Sequence, residues 1–244
     1  MSEPIRPSTV LPAIRTPFHL TTEDGETLIG EISAPIDHPT TALLCLHPNP
    51  TGGGMMDSHI YKKAANRLPA MAGVTIIRFN TRGTTSEAGT STGAYDGGRA
   101  EKYDVEAAVN YCFDILKVQE LWVVGWSFGT EIALCHARDP RIKGLILLSP
   151  PLMKVEESDL QFWAEDGRSI TALVPEHDDY LKPDQARIRF ASIPQLDLIA
   201  VDGAKHLWVG EPYVHRVLSE IVRIIAPARL PLPTELTSAA LHGE

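Results

Sequence analysis

The chain has 244 residues, of which 43% are hydrophobic and 22% charged, and its formal net charge is −9. This size fits one large α/β domain with a sizeable core, or at most two small domains, and the composition is typical of a globular protein in water. The acidic balance and the lack of any Lys/Arg cluster argue against nucleic acid or an anionic membrane as a partner, and no stretch approaches the ~18 apolar residues of a membrane span.

Short apolar runs alternate with helix-like segments from about residue 41 onward. The predicted buried strands are 42–46, 74–79, 121–124, 145–148, 170–174 and 196–201. The clearest predicted helices are 59–72, 103–116 and 212–225. This alternation of strands and helices predicts a mostly parallel sheet that is covered by helices on both faces.

The start of the chain follows a different pattern. Residues 18–22 and 27–32 flank the dipeptide Asp24-Gly25. Asp-Gly between two strand-like runs is a hairpin signal, so we expect an antiparallel hairpin at the edge of the sheet. Further along, the segment 149–169 between two later strands leaves room for one or two short helices rather than a large cap.

Three scattered cysteines, Cys45, Cys112 and Cys135, show neither metal-ligand nor disulfide spacing. The proline-rich segment 1–12 lacks the apolar core of a signal peptide. We therefore predict reduced thiols and a cytoplasmic location. No cofactor is predicted.

Residues 125–129 form a G-x-S-x-G motif between an apolar run and a helix-like stretch. In that position the motif predicts a nucleophile elbow with Ser127 at its apex. The turn is so tight that the residues two before and two after the serine must be small. The hydroxyl is lifted above the carboxyl end of the sheet, and the dipole of the following helix faces any developing negative charge.

A serine hydroxyl needs a base to take its proton and an acid to orient that base. On this architecture the partners follow in the order Ser, Asp/Glu, His. Among nine histidines, His206 is the one on the loop after the last strand, and we predict it as the base. The preceding strand-end loop offers Glu176, Asp178 and Asp179. Asp178 is predicted as the acid, because its position between the end of the strand and the proline that follows the loop fits best. Asp179 is the alternative, and Glu176 is the least favoured of the three.

The run 176–179 also contains residue types that bind metals. No second group of His or Cys ligands accompanies it, so we predict no metal site.

The loop 47–54 follows the first buried strand and is rich in proline and glycine. An oxyanion hole needs two N–H donors, and Phe128, directly after the serine, is expected to supply one. Because Pro48 and Pro50 have no N–H group, Asn49 is the predicted second donor. The glycines 52–54 allow close approach of a substrate. They lack the following Lys-Ser/Thr of a phosphate-binding P-loop.

Three more residues, His47, Gly53 and Trp126, are predicted to contact the substrate because they border the predicted nucleophile and oxyanion loops. Arg82 follows another strand end. It either binds an acidic substrate or braces the loops around the site by hydrogen bonds, and we favour the second interpretation.

Together these motifs resemble the α/β-hydrolase superfamily over residues 14–226. H-P-N-P at 47–50 with G-G-M at 53–55, R-F-N-T-R-G at 78–83 and G-W-S-F-G at 125–129 are similar to a group of small lidless bacterial hydrolases, some of them dienelactone-hydrolase-like. That group usually has histidine where this chain has Asn49. The resemblance implies Ser127, Asp178 and His206 as a catalytic triad.

The resemblance also implies the α/β-hydrolase fold: a mostly parallel central sheet, an antiparallel N-terminal hairpin, helices on both faces and no large cap domain. The catalytic domain is then 14–226, with an N-terminal extension at 1–13. The tail at 227–244 is expected to be a surface extension or disordered.

We predict a serine hydrolase that cleaves carboxylic esters of small or short-acyl substrates through an acyl-enzyme. A thioesterase or lactone hydrolase would use the same triad. A C–C hydrolase, a cofactor-free haloperoxidase and a non-catalytic ligand-binding member of the fold are the further alternatives.

Overall fold

The computed structural model describes residues 2–36 and 41–237. Within these ranges the strands are β1 (Ser2–Pro4), β2 (Ile14–Thr21), β3 (Thr27–Ala34), β4 (Thr41–Leu46), β5 (Thr75–Phe79), β6 (Thr85–Ser86), β7 (Gly89–Thr90), β8 (Glu120–Trp126), β9 (Ile142–Leu148), β10 (Ser169–His177), β11 (Leu196–Lys205) and β12 (Glu235–Thr237). The α-helices are α1 (His59–Ala72), α2 (Glu101–Asn110), α3 (Phe128–His136), α4 (Glu157–Asp166), α5 (Pro183–Arg189) and α6 (Glu211–Ile225). Short 3₁₀ turns at Pro50–Gly52 and Pro227–Arg229 and a π-helical turn at Tyr111–Ile115 complete the elements.

Eight of these strands form one sheet in the order β11-β10-β9-β8-β4-β5-β3-β2. The pairs from β11 to β5 are all parallel, whereas β3 runs antiparallel to both β5 and β2. The β2–β3 hairpin turns at Gly25, whose φ of +93° suits glycine. The predicted mostly parallel sheet with an antiparallel N-terminal hairpin is confirmed.

The central strands are apolar on both faces because helices cover both. Leu44 and Leu46 of β4 point into the core beneath α2, α3, α4 and α5, while Leu43 and Cys45 point into the core beneath α1 and α6. This alternation follows the two-residue period of a strand. It explains why a run such as 42–46 has no polar position.

The segment between β9 and β10 carries α4, and this helix belongs to the body of the protein. Its Trp163 is fully buried and donates from Nε1 to the carbonyl of Leu134 in α3, at 2.8 Å. The helix therefore packs beside α3. The prediction that no large cap domain is inserted here is confirmed.

The ends of the chain meet in a small second sheet. Strand β1 pairs antiparallel with β12, and Leu232, just before β12, is buried against α6. The described part of the tail is thus ordered on the surface as far as residue 237, and residues 238–244 lie outside the described ranges.

The three cysteines are free thiols, with Cys45 and Cys112 buried and Cys135 half-buried. In the part of the chain that the structure describes, no helix has the length and apolar character to cross a bilayer. The cytoplasmic location stays a prediction.

Helix α6 offers a direct test of the core. Ile221 is fully buried on its inner face, and Arg216 is exposed on its outer face. Ile221→Ala should lower the free energy of unfolding by about 2–5 kcal/mol, because it removes buried methyl groups and leaves a cavity. Arg216→Ala, the control, should change it by less than ~0.5 kcal/mol. Urea titrations measure both, and equal values would contradict the assigned orientation of α6.

Candidate active site

The turn between β8 and α3 holds Ser127 in a strained conformation, with φ of 53° and ψ of −119°. A Cβ atom on Gly125 would lie 2.3 Å from the carbonyl oxygen of Gly129. A Cβ atom on Gly129 would lie 1.9 Å from the carbonyl oxygen of Leu46. Both glycines are therefore dictated by backbone contact, and the motif is an elbow that closes only with small residues at these places.

Ser127, His206 and Asp178 form a continuous chain of hydrogen bonds. Nε2 of His206 lies 2.9 Å from Oγ of Ser127, and Nδ1 lies 2.9 Å from Oδ2 of Asp178. An ionised carboxylate only accepts, so Nδ1 carries the proton and Nε2 of the neutral ring accepts from the hydroxyl. His206 and Asp178 are buried, whereas Ser127 is partly exposed. The arrangement places a proton acceptor on the one hydroxyl that the elbow presents to solvent.

Asp178 is held by its own loop. Its Oδ1 accepts from the backbone N–H groups of Tyr180, at 2.8 Å, and Leu181, at 3.2 Å. Burial alone would raise the pKa of Asp178, but the hydrogen bonds from His206 and from these amides outweigh it and hold the pKa below its ordinary value. The carboxylate therefore stays ionised at neutral pH.

The alternative acids lie elsewhere on that loop. Asp179 is exposed. Glu176 is exposed as well, and it accepts from the backbone N–H of Gly203 at 2.7 Å. Among the three candidates, Asp178 is the one that the structure brings to His206.

Hydrogen bonds from three other elements hold the backbone of the loop that carries His206. Nε1 of Trp126 and Oγ of Ser149 both donate to the carbonyl of His206, at 3.1 Å each. Nε2 of His59, at the start of α1, lies 2.7 Å from the carbonyl of Leu207, which can only accept. These bonds come from β8, the end of β9 and α1, so they fix the loop against the body of the sheet.

The loop that contains Asn49 is held by hydrogen bonds to the side-chain and carbonyl oxygens of this residue. Its side-chain Oδ1 accepts from the backbone N–H of Thr51 at 3.1 Å. Its carbonyl oxygen accepts from the N–H groups of Gly52 and Gly54, at 3.0 and 2.9 Å. The loop adjoins the elbow because Leu46, at the end of β4, touches Gly129. Phe128, the other predicted donor, begins α3, and the first N–H groups of a helix have no partner within it.

His47 lies inside the protein, so the prediction that it contacts the substrate is corrected. Its Nε2 accepts from the backbone N–H of Thr81 at 3.0 Å, and its Nδ1 donates to the carbonyl of Pro48 at 2.7 Å. Burial lowers the pKa of His47 to about 4. The neutral ring thus joins the loop after β4 to the loop after β5.

The prediction for Trp126 is corrected in the same way. Its side chain is 2% exposed and its only polar atom is used on the carbonyl of His206. It therefore supports His206 from inside. Gly53, by contrast, is exposed, with a φ of +85°, and a Cβ atom added there would meet nothing within 4 Å. Its contact with a substrate stays a prediction.

Arg82 braces the loops, as favoured from the sequence. Its buried guanidinium bonds Asp104 of α2 through Nε and Nη2, at 3.0 and 2.8 Å. Nη1 bonds Asp24 of the β2–β3 turn at 2.7 Å. Two carboxylates neutralise the positive charge of Arg82, so this charge is not available to bind an acidic substrate.

Three supporting residues were missed from the sequence: His59, Ser149 and Tyr180. The ring of Tyr180 lies with its centroid 4.7 Å from that of His206. Nothing in the sequence pattern marks these residues, because each acts across the fold on a loop far away in the chain.

Comparison with known proteins agrees with this fold. A family model described as the alpha/beta hydrolase fold matches residues 41–215, which include Ser127, Asp178 and His206. None of the curated proteins matches the sequence.

Solved structures share the fold at low sequence identity. An alpha-beta serine hydrolase homologue from Coxiella burnetii superposes with a TM-score of 0.70 at 23% identity, covering 85% of this chain and 96% of that one. A serine hydrolase without lid from Xanthomonas campestris gives 0.68 at 23%, covering 88% and 96%. The esterase Pf2001 from Pyrococcus furiosus gives 0.72 at 17%, covering 92% and 99%.

The elbow contact can be tested with two glycines. Gly129→Ala should lower the free energy of unfolding by about 3 kcal/mol or more, because its methyl group overlaps a backbone carbonyl that cannot move freely. Gly52→Ala is the matched control: nothing lies within 4 Å of the added carbon. It should change stability by less than about 1 kcal/mol. Thermal and urea unfolding of the two variants give the comparison, and a stable Gly129→Ala protein would refute the contact.

Proposed function

The chain belongs to the α/β-hydrolase family, and from this premise we propose that it is a serine hydrolase that cleaves carboxylic esters of small or short-acyl substrates. The observation that carries the proposal is the unbroken chain of hydrogen bonds from Oγ of Ser127 through His206 to Asp178. The similarity to a protein named an esterase agrees with it.

In the acylation step, Oγ of Ser127 attacks the carbonyl carbon of the ester while Nε2 of His206 takes the hydroxyl proton. The carbonyl becomes a tetrahedral oxyanion. Asp178 stabilises the imidazolium that forms and keeps its Nδ1–H in place. When the tetrahedral intermediate collapses, the bond to the alcohol oxygen breaks and His206 gives that oxygen its proton, which releases the alcohol.

The oxyanion is held by the N–H groups of Phe128 and Asn49. Both donors belong to backbone that is fixed before the substrate arrives, so no reorganisation accompanies the reaction. One such donor is typically worth about 10²–10³ in rate. The proposed second donor is a main-chain N–H, which asparagine and histidine both have. Asn49 can therefore fill this role, although the group that this chain resembles usually has histidine at this position.

Water then completes the cycle. His206 takes a proton from a water molecule that attacks the acyl carbon, and the bond between that carbon and Oγ breaks. Ser127 recovers the proton from His206, and the carboxylic acid leaves.

Small substrates follow from the architecture around Ser127. A covered apolar tunnel can bury a long acyl chain, and enzymes of this architecture often insert a helical cap in the segment between β9 and β10 that could build one. Here that segment holds α4, which packs beside α3. We therefore propose that long acyl chains find little to bury against, and that turnover falls as the acyl chain grows.

Initial rates on p-nitrophenyl acetate, butyrate, octanoate and palmitate test the proposal. The rate should fall with acyl length and vanish in Ser127→Ala, because that variant has no nucleophile. A fluorophosphonate probe should label the wild type stoichiometrically and leave Ser127→Ala unlabelled. Labelling without ester turnover would direct the proposal to thioesters or lactones, and no labelling would favour the non-catalytic alternative.

The assignment of the acid has its own test. Asp178→Asn should lower kcat by about 10³–10⁴, because an amide cannot hold the required tautomer of His206 or stabilise its charged form. Asp179→Asn is the matched control and should remain close to wild type, since that side chain is exposed. Steady-state kinetics on p-nitrophenyl acetate decide the matter, and a nearly unaffected Asp178→Asn would reject Asp178.

A further inference from the structure

Two apolar side chains are exposed beside His206. The Tyr180 ring faces the His206 ring at 4.7 Å between centroids, yet Tyr180 is 57% exposed. Leu207 directly follows His206 and is 55% exposed. We call the side chains of Tyr180 and Leu207 the Tyr180–Leu207 platform. Large apolar side chains exposed at the mouth of a site are the usual contact surface for an apolar ligand.

The platform is held in place by the same groups that hold the triad. The N–H of Tyr180 donates to Oδ1 of Asp178 at 2.8 Å, so the backbone that carries the ring is tied to the acid. The carbonyl of Leu207 is bonded to Nε2 of His59 at 2.7 Å. An aromatic side chain has only two rotatable bonds, so on a backbone that is already held it loses little entropy when a ligand covers it.

The position of the platform determines which half of an ester it meets. In the proposed reaction, the alcohol oxygen must come within about 3 Å of Nε2 of His206 to receive its proton. The carbonyl oxygen lies instead toward the N–H groups of Phe128 and Asn49. The carbon atoms of the alcohol therefore extend past His206. Two exposed side chains adjoin this residue: Tyr180, whose ring faces the His206 ring, and Leu207, which follows it in the chain.

We propose that the Tyr180–Leu207 platform binds the alcohol portion of the substrate and makes the protein selective for esters of apolar alcohols. The inference rests on the proposed function and extends it. Selectivity then has two sources: the absence of a cap disfavours long acyl chains, and the platform favours apolar alcohols.

A series of alkyl acetates tests the platform with the acyl group held constant. Methyl, ethyl, butyl and hexyl acetate release alcohols of similar basicity, so differences in kcat/KM report binding of the alcohol chain. For the wild type, kcat/KM should rise by about two- to fourfold per methylene, the effect of burying one CH₂ group. Acetic acid release, followed by pH-stat titration, measures every member in the same way.

Variants separate contact with the substrate from support of His206. Tyr180→Ser and Leu207→Ser should flatten the series, so that the hexyl-to-methyl ratio of kcat/KM falls toward one. Tyr180→Phe keeps the ring and should keep the ratio. Ile115→Ser is the matched control: Ile115 is 65% exposed, and it precedes the amino end of β8, at the opposite edge of the sheet from Ser127.

Each outcome has one meaning. A flattened ratio in Tyr180→Ser, with Tyr180→Phe and Ile115→Ser like the wild type, supports the platform. A wild-type series without any rise overturns it while ester hydrolysis stands. An equal loss with every acetate in Tyr180→Ser also overturns it, because the ring would then only position His206. If no acetate shows Ser127-dependent turnover, the proposed function itself fails, and the platform with it.

Discussion

The contact between Gly129 and the carbonyl oxygen of Leu46 is the constraint on which the site depends. It lets the first turn of α3 lie directly against the end of β4, at a separation that no side chain allows. The elbow and the Asn49 loop are thereby joined by main chain alone. Both predicted oxyanion donors and the strained Ser127 follow from this one approach, because all of them are backbone features of the two segments that meet there.

A second layer of polar contacts keeps the loops from moving relative to one another. His47 links the loops after β4 and β5, while Trp126, Ser149 and His59 hold the backbone at His206 and Leu207. The bonds to the N–H of Thr81 and to the carbonyl of His206 are buried, and a backbone group left without a partner in such a place would cost about 1–3 kcal/mol. Two histidines near the site are thus structural, and the third is the one that faces the serine hydroxyl.

The fold was largely predictable because its signals are local. The helix at 59–72 has the predicted bounds, and the apolar runs became the central strands, with β10 and β11 extending further, to His177 and Lys205. The elbow was predictable since strand, motif and helix are contiguous. The pairing of β1 with β12 was not, because strands of three residues leave no periodic pattern.

The site was predictable where position along the fold decides, and not where side-chain direction decides. The choice of Asp178 over Asp179 rested on an offset of one residue, and the structure brings Asp178 to His206. His47 and Trp126 were assigned to the substrate because they adjoin the right residues in sequence. Whether such a side chain turns outward or inward depends on partners such as Thr81 and the carbonyl of His206, which lie far away in the chain.

In the proposed function, a site without a cap obtains its selectivity from the groups that support Asp178 and His206. Here the loops after β10 and β11 carry Asp178 and His206 inward and expose Tyr180 and Leu207 outward. Because the same short loops do both, the proposed platform couples substrate preference at these positions to the geometry of His206. The hydrogen bond from the backbone N–H of Tyr180 to Oδ1 of Asp178 links these two roles directly.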